Sequence, residues 1–317
     1  MLNNNYERIG FVLNLIQLIE NLFSFLAALI VSSAIVYNLY CGRLKRHEKI
    51  TIILCAHIYV LVLILMIITT SMNINTLLGD LYKLNFDSSW CRCMGYLAIV
   101  VFCTLSQAFV NQAFYRLCRI VYPQYKRFQL FWLYVILPCI QLILSFILFY
   151  PLLLWHDVFY LPKEYYCYVK FSNLRGTCWI LFNAYGIPVL VLSFIYIRIT
   201  RFLRQQSNNQ SLVAKRRQRR DLLITRRILI TVGLLLVLGV PGVVLLIMRI
   251  IKGEEHPLSI RITYTFAALS ITGLSISFIL SIPQLKNIVL KKWKQEQIIS
   301  IDNSLICTNH IRDDTQN

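Results

Sequence analysis

The side chains that could do chemistry in this 317-residue chain are few and scattered. Of its ten cysteines, Cys55, Cys103, Cys118 and Cys139 sit inside long apolar runs, where a thiol behaves as a small hydrophobe. Cys91, Cys93, Cys167 and Cys178 lie in or beside polar connecting segments, where thiols can be oxidised, and four cysteines allow three pairings. Histidines, carboxylates and cysteines do not recur at the spacing that would gather metal ligands or a catalytic pair on one helix. The sequence therefore reads as neither an enzyme nor a metal protein, and no cofactor is expected. What remains is electrostatic. Basic residues gather in short runs that include Arg116, Arg119 and Lys126, then Arg198 and Arg201, then Lys215 to Arg220 with Arg217 among them. Asp221 is the one acid in the last of these stretches. Such runs can hold a neighbouring acid or attract an anionic surface.

The elements that position these residues are apolar. Hydrophobic residues make up 57% of the chain and charged ones only 15%, with a mean hydropathy of +0.62. A net charge of +18 raises the question of nucleic acid, but the basic residues are split among short loops and form no compact basic domain, so nucleic acid is not an expected partner. A bilayer core about 30 Å thick takes about 20 apolar helical residues. Seven runs meet that length, near Leu22 to Tyr40, Ile50 to Met72, Met94 to Tyr115, Leu130 to Leu154, Cys178 to Ile197, Ile228 to Met248 and Ile262 to Ile282. Backbone groups in lipid must be satisfied within the segment, and these runs lack strand alternation. The expected fold is an all-α membrane protein, a bundle of seven spans over residues 21–283. Residues 1–20 are expected as a short extracellular amino terminus, with the first run retained rather than cleaved.

Beyond Pro283, residues 284–295 can place Leu285, Ile288 and Trp293 on lipid and Lys286, Lys291 and Lys292 on headgroups, so a short amphipathic helix at the membrane surface is expected there. A polar tail, 296–317, is expected to be disordered. Of the 32 lysines and arginines, 23 fall in one alternate set of loops, the set that includes the carboxyl-terminal tail. By the positive-inside rule that set is cytoplasmic and the amino terminus extracellular, which requires an odd number of spans.

Several spacings then converge. Cys91 precedes Arg116 by 25 residues, or about 37 Å of helix. Pro123 follows Arg116 by seven residues, Pro188 precedes Tyr196 by eight, and Pro241 lies twenty after Asp221. In these features the chain resembles a divergent rhodopsin-like (class A) G-protein-coupled receptor. The resemblance implies a disulfide between Cys91 and Cys167, a coupling group of Arg116, Tyr196 and Asp221, and hinges at Pro188 and Pro241. It also implies a heterotrimeric G protein as the cytoplasmic partner, met by Arg119, Lys126, Arg198, Arg201 and Arg217, which membrane lipids would share. The location implied is the plasma membrane. The chain departs from the family at the triplet Tyr115-Arg116-Leu117, at Gly239 where the family places a tryptophan, and in lacking Asn-Pro-x-x-Tyr.

For the extracellular ligand the resemblance excludes more than it assigns. Ala98 stands eighteen residues before Arg116, where amine receptors keep an aspartate, and no lysine lies between Ile262 and Ile282 to form a Schiff base. Arg249 and Arg261, with Ala98, are the expected pocket residues. The two arginines suit an acidic ligand or peptide carboxylate, with Glu254 and Glu255 as alternative partners. A peptide or a chemosensory small molecule is expected. A carrier or channel, or a seven-helix scaffold that does not couple, are the rival readings.

Overall fold

A computed structural model describes residues 5–40, 46–125, 128, 130–206, 233, 240–253 and 258–281. Most of these are helical. In chain order they form α1 (Asn5–Tyr40), α2 (Arg46–Tyr82), α3 (Ser89–Ile120), α4 (Phe131–Leu154), strands β1 (Val158–Leu161) and β2 (Tyr166–Val169), α5 (Leu174–Ile180), α6 (Ile187–Gln206), α7 (240–252) and α8 (Ser259–Ser281). A π-helical turn, Leu181–Gly186, joins α5 to α6. Among the described residues five helices are long and apolar enough to cross a membrane. The sixth expected span is described only at 233 and from 240 onward. The stretch 284–317, with the amphipathic piece and the tail, lies outside the described residues.

The helices carry their apolar faces outward. On α4, Trp132, Ile136, Ile140, Ile143, Ile147, Tyr150 and Leu154 are exposed at steps of three and four residues, while Gln141 and Ser145 are buried on the opposite face. Water would reward the reverse arrangement, and a continuous exposed apolar stripe of this length is suited to hydrocarbon. On α1 the exposed stripe is Ile9, Val12, Ile16, Ile19, Phe23, Leu26 and Ile30, and the buried one begins Asn14, Gln17, Asn21, Ser24 and continues Ala28, Val31, Ile35. The buried polar half is put to use: Asn14 Nδ2 donates to the Asn73 carbonyl at 3.2 Å, and Ser24 is hydrogen-bonded to Thr272 of α8. Small and apolar side chains fill the other half, in a core shared with Ile52, Ile58 and Met66 of α2.

α1 starts at Asn5, inside the stretch 1–20 expected as an extracellular amino terminus. Three of the polar residues that lower the hydropathy before Leu22, Asn14, Gln17 and Asn21, lie on the buried face of α1, and the helix continues through them. A short hairpin is added to the mostly helical fold: β1 and β2 pair antiparallel, with Val158 opposite Val169 and Leu161 opposite Tyr166. The chain enters this hairpin by a sharp stop to α4. His156 adopts a left-handed φ of 53°, its N–H donates to the Leu153 carbonyl, and the Asp157 N–H reaches back to Leu152. These two bonds satisfy carbonyls left open at the helix end.

Candidate functional site

At one end of the bundle the hairpin forms a lid fixed from several sides. Ser88 caps α3, its Oγ accepting from the Cys91 N–H at 3.1 Å, and this sets Cys91 in the first turn. Cys91 is disulfide-bonded to Cys167 of β2, with their Cα atoms 5.4 Å apart. One turn later α3 carries Gly95, where an added Cβ would lie 2.2 Å from the Cys167 carbonyl oxygen. Only glycine lets the strand approach the helix this closely. Arg175 at the start of α5 donates to Asp157 at 2.9 Å and stacks over the Trp155 ring at 4.5 Å. Cys93 and Cys178 are exposed free thiols.

The turn of the hairpin is held by charge. The Arg261 guanidinium, on the first turns of α8, donates from Nε to Glu164 Oε2 at 2.8 Å, from Nη1 and Nη2 to the two Asp80 carboxylate oxygens at 2.8 and 3.1 Å, and from Nη2 to the Lys163 carbonyl at 3.0 Å. All three side chains are nearly buried, at 10%, 8% and 5% exposure. The Glu164 carbonyl accepts from Thr76 Oγ1 at 2.7 Å. Arg261 therefore clamps α2, the hairpin turn and α8 together. Burial, reinforced by the Glu164 carboxylate, pushes the Tyr166 hydroxyl well above the usual tyrosine range, so it stays protonated. A small polar chamber lies at this cluster, lined by Asn14, Gln17, Thr69, Asn73, Glu164 and Arg261 among others.

Beside it opens a much larger cavity of about 260 Å³. Its walls come from α1, α2, α3, the helix of α5 and α6, α7 and α8, and Tyr168 and Phe171 of the lid segment reach it from above. Ala98, Phe102 and Leu105 line it from α3, and Ala184 and Pro188 from the π turn and α6. The π turn has a local cause. Pro188 has no N–H to donate to the preceding turn and its ring crowds the carbonyl four residues back. The helix widens over 181–186, and the Ile187 N–H bonds to the Phe182 carbonyl, five residues away.

At the opposite end of α3, Tyr196 is 2% exposed and packs with Ile195, Ile199 and Leu203 of α6 against Ala113. Arg116 is half-buried one turn further on and close enough to Tyr196 and to Cys55 of α2 to act on both electrostatically. Arg198 Nη2 donates to the Tyr122 hydroxyl at 3.3 Å, and Arg119 and Arg201 are exposed.

The expected residues thus fall into three groups. Cys91 and Cys167 are bonded in the lid, Ala98 and Pro188 line the cavity, and Arg116 and Tyr196 lie near one another at the other end. Arg261 is drawn away from the large cavity by Asp80 and Glu164, and Arg249 is half-buried on α7 without lining either chamber. Pro241 stands at the start of described α7. Lys126, Arg217, Asp221, Gly239, Glu254 and Glu255 lie outside the described residues, so the Arg116 to Asp221 pairing does too. Asp80, Glu164, Gln17 and Asn21 are the site residues that spacing did not single out. A signal for Asp80 existed, since an acid that continues an apolar helix must be paired or reach water. No family model matches the chain, and no curated protein matches it. Among the described residues no group of histidine, cysteine and carboxylate side chains could hold a metal ion.

Proposed function

We propose that this chain is a rhodopsin-like G-protein-coupled receptor of seven spans in the plasma membrane, which senses an extracellular ligand and activates a heterotrimeric G protein. One observation carries the reading: a cavity enclosed by helices from both halves of the chain lies between a disulfide-anchored lid and the Arg116 and Tyr196 pair. Pro188 and its widened turn stand between the two ends on one continuous helix. A ligand that favours one packing around Pro188 shifts Tyr196 relative to Arg116, and an opening there is where a G protein would bind. The seven-span topology is supported by the five long apolar helices, by α8, by the apolar run from Ile228 to Met248, and by the loop charge asymmetry.

The test is G-protein activation in cells expressing the chain, across the main G-protein classes, at matched surface levels. Activity above untransfected cells that Arg116→Ala removes is the expected result. Full activity in Arg116→Ala would sink the coupling role. Charge-selective flux through liposomes holding the chain would favour a channel or carrier instead.

A further inference from the structure

Resting on the receptor reading, we infer that the ligand of the large cavity is a small, uncharged, mostly hydrocarbon molecule carrying a hydrogen-bond acceptor, and that this acceptor is held by Asn21 on the first helix. Three observations support it. The first is charge. Every described side chain lining the cavity is uncharged, and most are apolar, Leu65, Phe102, Leu105, Val189, Leu246 and Ile271 among them. Glu20, one position from Asn21, does not line it. A charged ligand would lose its hydration here without gaining a partner, at a cost of several kcal/mol.

The second observation is that the nearby charges are already taken. Arg261, the cation best placed to meet an acidic ligand, gives four hydrogen bonds to Asp80, Glu164 and the Lys163 carbonyl. One guanidinium faces two carboxylates, so no positive charge remains to bind an anion. A peptide ligand anchored by its carboxylate on Arg261, a possibility the sequence left open, is disfavoured on this ground. The cavity of about 260 Å³ is also near the small end of ligand sites, which run from about 300 to 1,000 Å³, and suits a small molecule rather than a peptide.

The third observation supplies the polar contact. Asn21 is 1% exposed, lines the cavity, and its Nδ2 has no hydrogen-bond partner among the described residues. A buried amide N–H without an acceptor costs about 1–3 kcal/mol, and a carbonyl, ether or hydroxyl oxygen on the ligand would recover it. Gln17, one helical turn away, and Thr69 flank Asn21 on the same wall, whereas the α6 wall is apolar and the one polar side chain from α3, Ser106, gives its hydroxyl to the Phe102 carbonyl of its own helix. This polarity gradient orients the ligand, with its oxygen towards α1 and its hydrocarbon body towards Phe102 and Leu192.

The test is binding to the full chain in lipid nanodiscs without any G protein, read as ligand-dependent thermal stabilisation. The probes are terpenoid ketones and alcohols of about ten to fifteen carbons, which suit a cavity of this size, with the carboxylate, the amine and the parent hydrocarbon of each skeleton. The neutral oxygenated probes are expected to bind, and the charged ones on the order of a hundredfold more weakly. Asn21→Leu should weaken the ketones about five- to tenfold towards the hydrocarbons, which it leaves unchanged. Ala98→Leu and, independently, Ala267→Phe should fill the cavity and abolish stabilisation, while Leu190→Phe on the exposed face of α6 should not. Tighter binding of the carboxylate or amine, no stabilisation by any neutral probe, or stabilisation that survives both filling variants would overturn the inference. Normal neutral binding in a chain that activates no G protein would instead count against the receptor reading.

Discussion

The two chambers beneath the lid share Gln17, Thr69 and Tyr264 as a common wall, yet they treat charge in opposite ways. In the small one a guanidinium and two carboxylates are buried together and satisfied by one another. In the large one no charge appears on any described wall. The difference separates architecture from recognition. Charge in this protein ties α2, the hairpin and α8 into one closed end, and an uncharged cavity is left for whatever binds. If that division holds, breaking the polar chamber should cost stability, while altering the apolar chamber should change binding with little effect on stability.

The largest effect is expected from Arg261→Met. It leaves Asp80 and Glu164 side by side, nearly buried and without their cation, and removal of one member of a buried ion pair costs about 3–5 kcal/mol. The apparent Tm of the purified protein and its surface level should both fall. Restoring neutrality with Asp80→Asn and Glu164→Gln in the same chain should recover most of the loss, because the penalty comes from unpaired charge rather than from the missing contact. An unchanged Tm in Arg261→Met would mean that the clamp is not structural.

Next is the covalent tie. Cys167→Ser removes the link from β2 to α3 across 76 residues of sequence, and loss of a native disulfide costs about 2–5 kcal/mol. The same Tm shift should follow reduction of the wild type, and reduction should then have no further effect on the variant. Since Cys93 and Cys178 are exposed free thiols, a variant that re-forms a disulfide with either would show itself as residual sensitivity to reductant.

How much of this was legible in the sequence differs between the chambers for a physical reason. Apolar runs announce spans wherever hydropathy alone decides, and α3 and α4 fall close to the runs beginning at Met94 and Leu130. The cysteines in the lid were legible because few lay in connecting segments, although the pairing of Cys91 with Cys167 came from resemblance. Hydropathy is a poor guide where a helix buries polar residues, so the apolar run of α1 starts only at Leu22 although Asn14, Gln17 and Asn21 lie in its interior face. The hairpin is only four residues per strand and is easily lost between two long spans. The ion cluster has no local signature at all, since Arg261 meets residues 97 and 181 positions away, and only the fold brings them together.

A third variant tests whether the clamp is rigid. On α1, an added Cβ at Gly10 would lie 2.7 Å from Arg261 Nη1. A free arginine would swing away at little cost, but this one is pinned by Asp80 and Glu164, so Gly10→Ala should behave as overpacking and cost about 1–3 kcal/mol in thermal stability. The coupling is the informative part. In an Arg261→Met background the same substitution should cost much less, and the double-mutant cycle gives the interaction directly. Additive effects would place the strain elsewhere on α1.

The smallest effect on stability is expected at the shared wall. Thr69 donates its hydroxyl to the Leu65 carbonyl of its own helix at 2.9 Å and lines both chambers. Valine keeps the shape and removes the hydroxyl, and the Leu65 carbonyl retains its place in the helical ladder, so Thr69→Val should change stability by about 1 kcal/mol or less. Its effect on recognition should exceed its effect on folding. With the hydroxyl gone, the α1 and α2 wall of the large cavity keeps only Gln17 and Asn21 as polar side chains, and preference should move from oxygenated towards hydrocarbon probes while the Tm without ligand stays close to wild type. A Tm loss as large as that of Arg261→Met would instead make the shared wall part of the clamp, and the two chambers would then be one structural unit rather than a tie and a binding site.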